Sequence, residues 1–263
     1  RGLKFYEERP WLAGLFYWTG FDYRGEPNPL SYPATGSEFG ILDYCGFPKD
    51  EAFYLKSWWT DETVLHILPH WNLAGHEGEE VSVWVYSNCD EVSLQVNGKN
   101  LGRKKMPHGG HLEWKAVFAP GSVKAVGYKA GKKVCTEVIR TSGAPAALKA
   151  SIDRAEISGD GRDLSVINLS VYDSKGNFVP DASVPVTITV EGPARILGAG
   201  NGDPAFRGKE RPENPSSRTF TIDTFNGLAQ VLIQSAGGSG EATVTFSSGV
   251  AASASTVVTI SLK

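Results

Sequence analysis

No run of eighteen or more apolar residues occurs in the sequence, so no segment of it is suited to cross a bilayer as a helix. Surplus positive charge is missing too: 26 Lys and Arg stand against 29 Asp and Glu, for a net charge of -3. That balance cannot neutralise a polyphosphate backbone, and no long block of like charge appears, which argues against a nucleic-acid partner. Cysteine is scarce. Cys45, Cys89 and Cys135 have no CxxC spacing, which removes structural zinc and thioredoxin-like chemistry. An odd count leaves at least one thiol free. Cys89 and Cys135 fall in one expected domain and could pair in an oxidising compartment, but the expectation is three reduced thiols. The opening Arg1-Gly-Leu-Lys-Phe-Tyr-Glu-Glu8 lacks the apolar core and cleavage pattern of a signal peptide, which leaves open a leader further upstream.

Tryptophan is absent after Trp114; all seven lie between Trp11 and that position, the first sign of domain structure. At 263 residues with 41% hydrophobic content, the chain can bury the cores of two or three small domains. Trp11-Leu-Ala-Gly-Leu-Phe-Tyr-Trp18 reads as a buried strand, followed by a long loop broken by Pro and Gly. An amphipathic helix is expected to begin near Pro48, with Asp50 and Glu51 where the helix dipole favours negative charge. Phe53, Tyr54, Trp58 and Trp59 recur at helical spacing and mark its buried face. A continuous apolar strand, a loop and a helix make one βα unit, which must dock on missing barrel neighbours or on the next module.

From about Val64 the apolar period becomes two. Strands are expected at 81–86, 92–96, 111–118, 123–128 and 133–139, with Asn97-Gly98 as a tight hairpin turn. Short strands at this spacing indicate an immunoglobulin-like sandwich, and 141–146 reads as a linker. A second sandwich follows, with strands expected at 164–172, 184–190, 229–233, 242–246 and 256–260. Its Val, Thr and Ser content and lack of tryptophan resemble bacterial surface-type immunoglobulin modules.

Three groups of stretches carry a closer resemblance. Trp18-Thr-Gly-Phe-Asp-Tyr-Arg-Gly-Glu-Pro27, preceded by Arg9-Pro-Trp-Leu-Ala-Gly14 and followed by Phe39-Gly-Ile-Leu-Asp-Tyr-Cys-Gly-Phe-Pro-Lys-Asp50, is similar to the eighth strand, loop and helix of the barrel in family 2 glycoside hydrolases. Val92-Ser-Leu-Gln-Val-Asn-Gly-Lys-Asn-Leu-Gly102 and Pro120-Gly-Ser-Val-Lys-Ala-Val-Gly-Tyr128 resemble the module that follows the barrel in many β-galactosidases. Gly198-Ala-Gly-Asn-Gly-Asp-Pro204 and Phe225-Asn-Gly-Leu-Ala229 resemble their carboxyl-terminal domain.

The resemblance implies a mainly β chain: two tandem immunoglobulin-like β-sandwiches, 63–142 and 143–263, preceded by the last βα unit of a (β/α)8 barrel at 1–62. It also implies the distal part of a retaining β-galactosidase acting on terminal β-galactosides or oligosaccharides. Retaining glycosidases need two carboxylates about 5 to 5.5 Å apart. The family carries both as glutamates on earlier strands, so no catalytic residue is assigned here and the isolated piece is expected to be inactive. Two substrate contacts are assigned. Trp18 would form the floor of the galactosyl site, its peptide to Thr19 cis as in related barrels, and Asp22 would lend a supporting hydrogen bond. Glucuronidase relatives place an Asn-x-Lys pair where this chain reads Ser37-Glu38-Phe39, and Glu38 would repel a uronate. No cofactor is assigned, structural or site cations being a matter for the parent enzyme. A homo-oligomer stays open. The expected location is periplasmic or extracellular in a bacterium, with the cytoplasm left open.

Plainer readings stand beside these. Trp18 could merely pack between strands, as most tryptophans do. Asp22 and Glu26 are read as turn-forming or surface acids rather than a catalytic pair. His66 and His70 have metal-like spacing, but Pro69 between them precludes a shared helical face. Asn201-Gly-Asp203 is read as turn structure rather than a cation loop, and Arg103-Lys-Lys105 as a solvated hairpin end. The competing functional class is a non-catalytic carbohydrate-binding or adhesion module, for which the opening strand, loop and helix would have no purpose.

Overall fold

The computed structural model describes residues 2–27 and 29–261. The chain forms two compact units, one of Arg1–Asp22, Phe39–Asp43 and Pro48–Thr141, the other of Tyr23–Glu38, Tyr44–Phe47 and Ser142–Lys263. The opening sixty residues are therefore shared between the units. They hold a short helix α1 (Gly2–Glu7), a small antiparallel ladder of β1 (Tyr23–Arg24) and β2 (Gly36–Ser37), and a longer helix α2 (Asp50–Trp59).

The expected buried strand at 11–18 is not formed. That stretch is irregular and mostly exposed, with Trp11 at 75% and Trp18 at 72%. A parallel-sheet strand is buried only when neighbours supply both its ladder edges and its two covering faces. No such neighbours exist among the described residues. Helix α2 begins as expected, with Asp50 and Glu51 in its first turn, but its buried residues are Leu55 and Ser57, and Trp59 is 56% exposed. It docks on the first sandwich: the Tyr54 hydroxyl donates to the Gly109 carbonyl at 2.8 Å, and Phe53 stacks on His66 with ring centroids 3.9 Å apart.

That sandwich comprises β3 (Leu65–Leu68), β4 (Glu80–Ser87), β5 (Glu91–Val96), β6 (Lys99–Lys105), β7 (Leu112–Val117), β8 (Ser122–Lys129) and β9 (Lys132–Arg140). One sheet runs β3-β4-β7 and the other β6-β5-β8-β9, all antiparallel. Their alternating apolar residues share a core that includes Trp71, Val83, Val85, Leu94, Trp114 and Phe118. The Asn97-Gly98 hairpin forms, with both residues at positive φ (50° and 80°) as a tight two-residue turn requires. The basic run Arg103-Lys-Lys105 is the exposed end of the β5-β6 hairpin, as expected, and there the Arg103 guanidinium lies 3.6 Å over the Tyr128 ring and pairs with Glu91. The stems of such side chains cover aromatic surface while their charges reach water. Cys89 and Cys135 are free thiols with sulfurs 3.7 Å apart, and burial, then the neighbouring Cys89, pushes the Cys135 thiol up to about 11.

A carboxylate cluster ties α2 to this sandwich. His66 meets Asp50 at 2.7 Å and Glu137 at 3.9 Å. Burial pushes the Glu137 carboxyl up to about 7, against the lowering effects of His66 and the Ile67 backbone, and its Oε2 is buried without a hydrogen-bond partner. A carboxyl whose value is higher folded than unfolded binds its proton more tightly in the native state. Its contribution to stability is therefore complete below the unfolded carboxyl range and is lost as pH rises through about 7. Glu137→Gln should thus stabilise the chain at pH 8 by on the order of 2 kcal/mol, with no gain below about pH 5. Denaturant midpoints across that range check it; a wild-type midpoint independent of pH contradicts it.

The second sandwich comprises β10 (Pro145–Ile152), β11 (Glu156–Ser158), β12 (Leu164–Asp173), β13 (Pro185–Glu191), β14 (Ala194–Gly200), β15 (Thr219–Asp223), β16 (Leu228–Ser235), β17 (Gly240–Ser247) and β18 (Ala254–Ser261). Its sheets run β10-β12-β16-β14 and β11-β18-β17-β13-β15. Strict alternation along β12 and β16 sends Ile167, Leu169, Val171, Val231 and Ile233 into the core, where Ile188, Val244 and Phe246 meet them. The segment read as a linker ends in β10, which pairs with β12 from Pro145 onward.

Candidate functional site

Trp18 stands at the head of the long loop, its ring largely exposed and its peptide to Thr19 cis, as the resemblance implied. The backbone just after it is firmly held. Residues 19–22 run beside 39–42, with Ile41 N donating to Thr19 O at 3.1 Å, Leu42 N to Gly20 O at 2.9 Å, and Asp22 N to Leu42 O at 2.9 Å. This close approach requires Gly40: a Cβ there would lie 2.2 Å from the Asp22 nitrogen and 2.3 Å from the Phe21 carbonyl carbon, both backbone atoms that cannot swing aside.

Asp22 locks the arrangement. Its side chain is 2% exposed, and Oδ1 accepts from Gly40 N at 2.8 Å and from Lys49 Nζ at 2.7 Å. Lys49 immediately precedes α2, so one carboxylate joins the segment after Trp18, the returning loop and the helix entry. A buried carboxylate held by two donors, one of them cationic, is a strong brace. Both donors to Oδ1 thus come from the returning loop and the helix entry. Lys49 lies within the Phe-Pro-Lys-Asp stretch that carried the resemblance, but no sequence signal paired it with Asp22.

The middle of the loop belongs to the carboxyl-terminal unit. Tyr23 and Arg24 pair with Ser37 and Gly36, and the Tyr44 hydroxyl donates to Tyr23 O at 3.3 Å. Glu26 accepts from the Tyr23 hydroxyl at 3.0 Å, in keeping with a turn acid. The sandwich grips this segment at several points: Thr35 N donates to Pro204 O at 3.1 Å, Arg24 pairs with Glu210, and Gln230 Nε2 donates to Cys45 O at 2.8 Å. Arg24, Tyr44, Asn201, Asp203, Glu210 and Gln230 are among the residues lining a cavity of about 260 Å³ there. Asn201 and Asp203 accept turn-forming bonds, from Asp203 N at 3.1 Å and from Ala205 N at 2.8 Å, and Asn201 Nδ2 donates to Asp223 O at 2.9 Å.

His66 sits between Asp50 and Glu137, whereas His70 accepts from Asn72 N at 3.2 Å. Among the described residues no group of three or more His, Cys, Asp or Glu is placed to hold a metal ion. Glu38 is exposed, and Ser37 beside it is buried with an unpartnered hydroxyl.

Residues 148–257 match the family model described as Glycoside hydrolase family 2 C-terminal domain 5, and residues 78–135 match a domain of unknown function, DUF4982. A beta-galactosidase of Bacteroides ovatus is 40% identical over 248 residues, which are 94% of this chain and 28% of that protein. A beta-glucuronidase of Formosa agariphila is 32% identical over 209 residues, 78% of this chain and 20% of its own length. The crystal structure of a beta-glycosidase from Bacteroides vulgatus superposes with a TM-score of 0.89 at 32% identity, covering 97% of this chain and 32% of that one. The chain thus spans only 20% to 32% of the length of these relatives.

Proposed function

This chain belongs to glycoside hydrolase family 2, and on that premise we propose that it is the carboxyl-terminal part of a retaining β-galactosidase, in which residues 1–62 complete the catalytic barrel and Trp18 floors the galactosyl site. The observation that carries this reading is the exposed indole of Trp18 at the head of a braced loop, on a stretch where Trp11, Phe16, Tyr17 and Phe21 are exposed as well. So much bare aromatic surface calls for a cover, which the preceding barrel strands supply. A flat ring at the end of a barrel strand stacks on the C–H face of a sugar. The nucleophile and the acid/base are glutamates encoded outside this chain. The proposed setting is the periplasm or exterior of a bacterial cell.

The galactoside is favoured by the Bacteroides ovatus relative and by Glu38, an exposed negative charge where uronate-binding relatives place Asn-x-Lys. A second reading, a β-glucuronidase, draws on the Formosa agariphila relative. Rates on the two nitrophenyl glycosides separate them. The full-length chain should prefer β-galactoside to β-glucuronide by at least about a hundredfold and release the β anomer first, as followed by NMR. The reverse preference moves the reading to uronides; initial release of the α anomer contradicts a retaining mechanism.

A further inference from the structure

We propose that Cys89 and Cys135 are a modification site, a dithiol that closes to a disulfide and clips the edge strand of the first sandwich to the connection between its two sheets. The site lies wholly within that sandwich and is independent of the β-galactosidase reading. Cys89 sits between the end of β4 at Ser87 and the start of β5 at Glu91, where the chain crosses from one sheet to the other. Cys135 lies opposite Gly127 on β9, an edge strand whose ladder is made with β8. Their sulfurs are 3.7 Å apart and meet over the spot that Gly127 leaves bare, where a Cβ would lie 2.6 Å from each. The crossing itself is held in place. Cys89 N donates to Ser87 Oγ at 3.1 Å, and that hydroxyl donates to Val64 O at 2.6 Å. Asp90 fastens the next position to β8, its N donating to Tyr128 O at 2.9 Å and its Oδ2 accepting from Ala130 N at 2.6 Å.

A disulfide holds its sulfurs about 2.05 Å apart. From the observed contact that is a short approach, supplied by rotation of the two side chains and by give in a strand with one ladder neighbour. The oxidant is a small-molecule disulfide of the glutathione class. It meets Cys135 first, because that residue is half-buried whereas Cys89 is 3% exposed. The Cys135 thiolate attacks one sulfur of the small disulfide, whose S–S bond breaks and releases one thiolate. Cys89 then attacks the Cys135 sulfur, the mixed disulfide breaks, and a second small thiolate leaves. The protein gives up two electrons and two protons, and the small disulfide takes up both pairs as two thiols. Only a thiolate attacks, and burial, then the neighbouring Cys89, pushes the Cys135 thiol up to about 11. Closure is therefore slow at neutral pH and quickens as pH rises. Once made, the bond joins positions 46 residues apart, restricting the unfolded chain between them and restraining β9 in the folded one. In an oxidising compartment the pair stands closed, and in a reducing one open.

The test uses the folded full-length protein in oxidised glutathione, with remaining thiols alkylated and the peptides read by mass spectrometry. Wild type should yield a linked Cys89–Cys135 peptide, lighter by two hydrogens than its separate halves and returned to two thiols by reductant. Cys89→Ser should stop instead at a glutathione adduct on Cys135, because no second thiol resolves it. Amide exchange across β9 should be roughly tenfold slower in the linked protein than in the reduced one. Folded wild type that gives no linked peptide, or that keeps the Cys135 adduct as Cys89→Ser does, overturns the proposal. So does a linked peptide that forms only in denaturant, where chance encounter replaces the geometry of the fold. Linkage that leaves exchange across β9 unchanged overturns the clip.

Discussion

Replacing Trp18 by alanine in the full-length chain lowers kcat/KM on a β-galactoside by roughly 10- to 100-fold, with KM raised and kcat reduced. The size follows from what the ring does in the proposed site. An aromatic stack contributes about 0.5 to 1.5 kcal/mol beyond the area it buries, and each 1.36 kcal/mol removed from transition-state binding costs about a factor of ten. Loss of the floor also lets the sugar tilt, which erodes the alignment on which the reaction rate depends. In the proposed site the ring faces the sugar rather than a packed core, so the structural cost should be small by comparison. Steady-state kinetics beside thermal melting separate the two effects. An unchanged kcat/KM removes Trp18 from the site, and a fall in melting temperature that accounts for the lost rate makes it a packing residue.

Asp22 behaves differently for a physical reason. Its hydrogen bonds to Gly40 and Lys49 are internal, so its loss would disturb the geometry of the loop in addition to any bond it lends the sugar. That distinction was not legible in the sequence. The pairing spans 27 positions and exists only because residues 39–42 return beside 19–22.

The parts of the fold that could be read were those set by local chemistry. Alternation placed β12 within one residue of its observed ends, Asn97-Gly98 fixed a hairpin, and two acids after a proline marked the start of α2. Where tertiary partners decide the outcome, local signals failed. Trp11 to Trp18 has the composition of a buried strand, but burial comes from neighbours, and most of the stretch is exposed. The basic run Arg103-Lys-Lys105 is the exposed end of β6, as read, but the rings it covers, Tyr128 on β8 and Trp114 on β7, could not be named from local signals. Strand β14 escaped notice because glycines at 198 and 200 dilute its pattern, and one of them, Gly200, gives way to Cys45, whose sulfur would lie 2.8 Å from any Cβ placed there.

The central claim is that the chemistry of this family needs acidic groups that residues 1–263 do not supply, while these residues supply the sugar floor. Assaying the isolated chain and the full-length protein side by side on nitrophenyl β-galactoside tests it most directly. The account predicts release of nitrophenol by the full-length protein alone; release by the isolated chain, abolished by changing one of its own carboxylates, would contradict it.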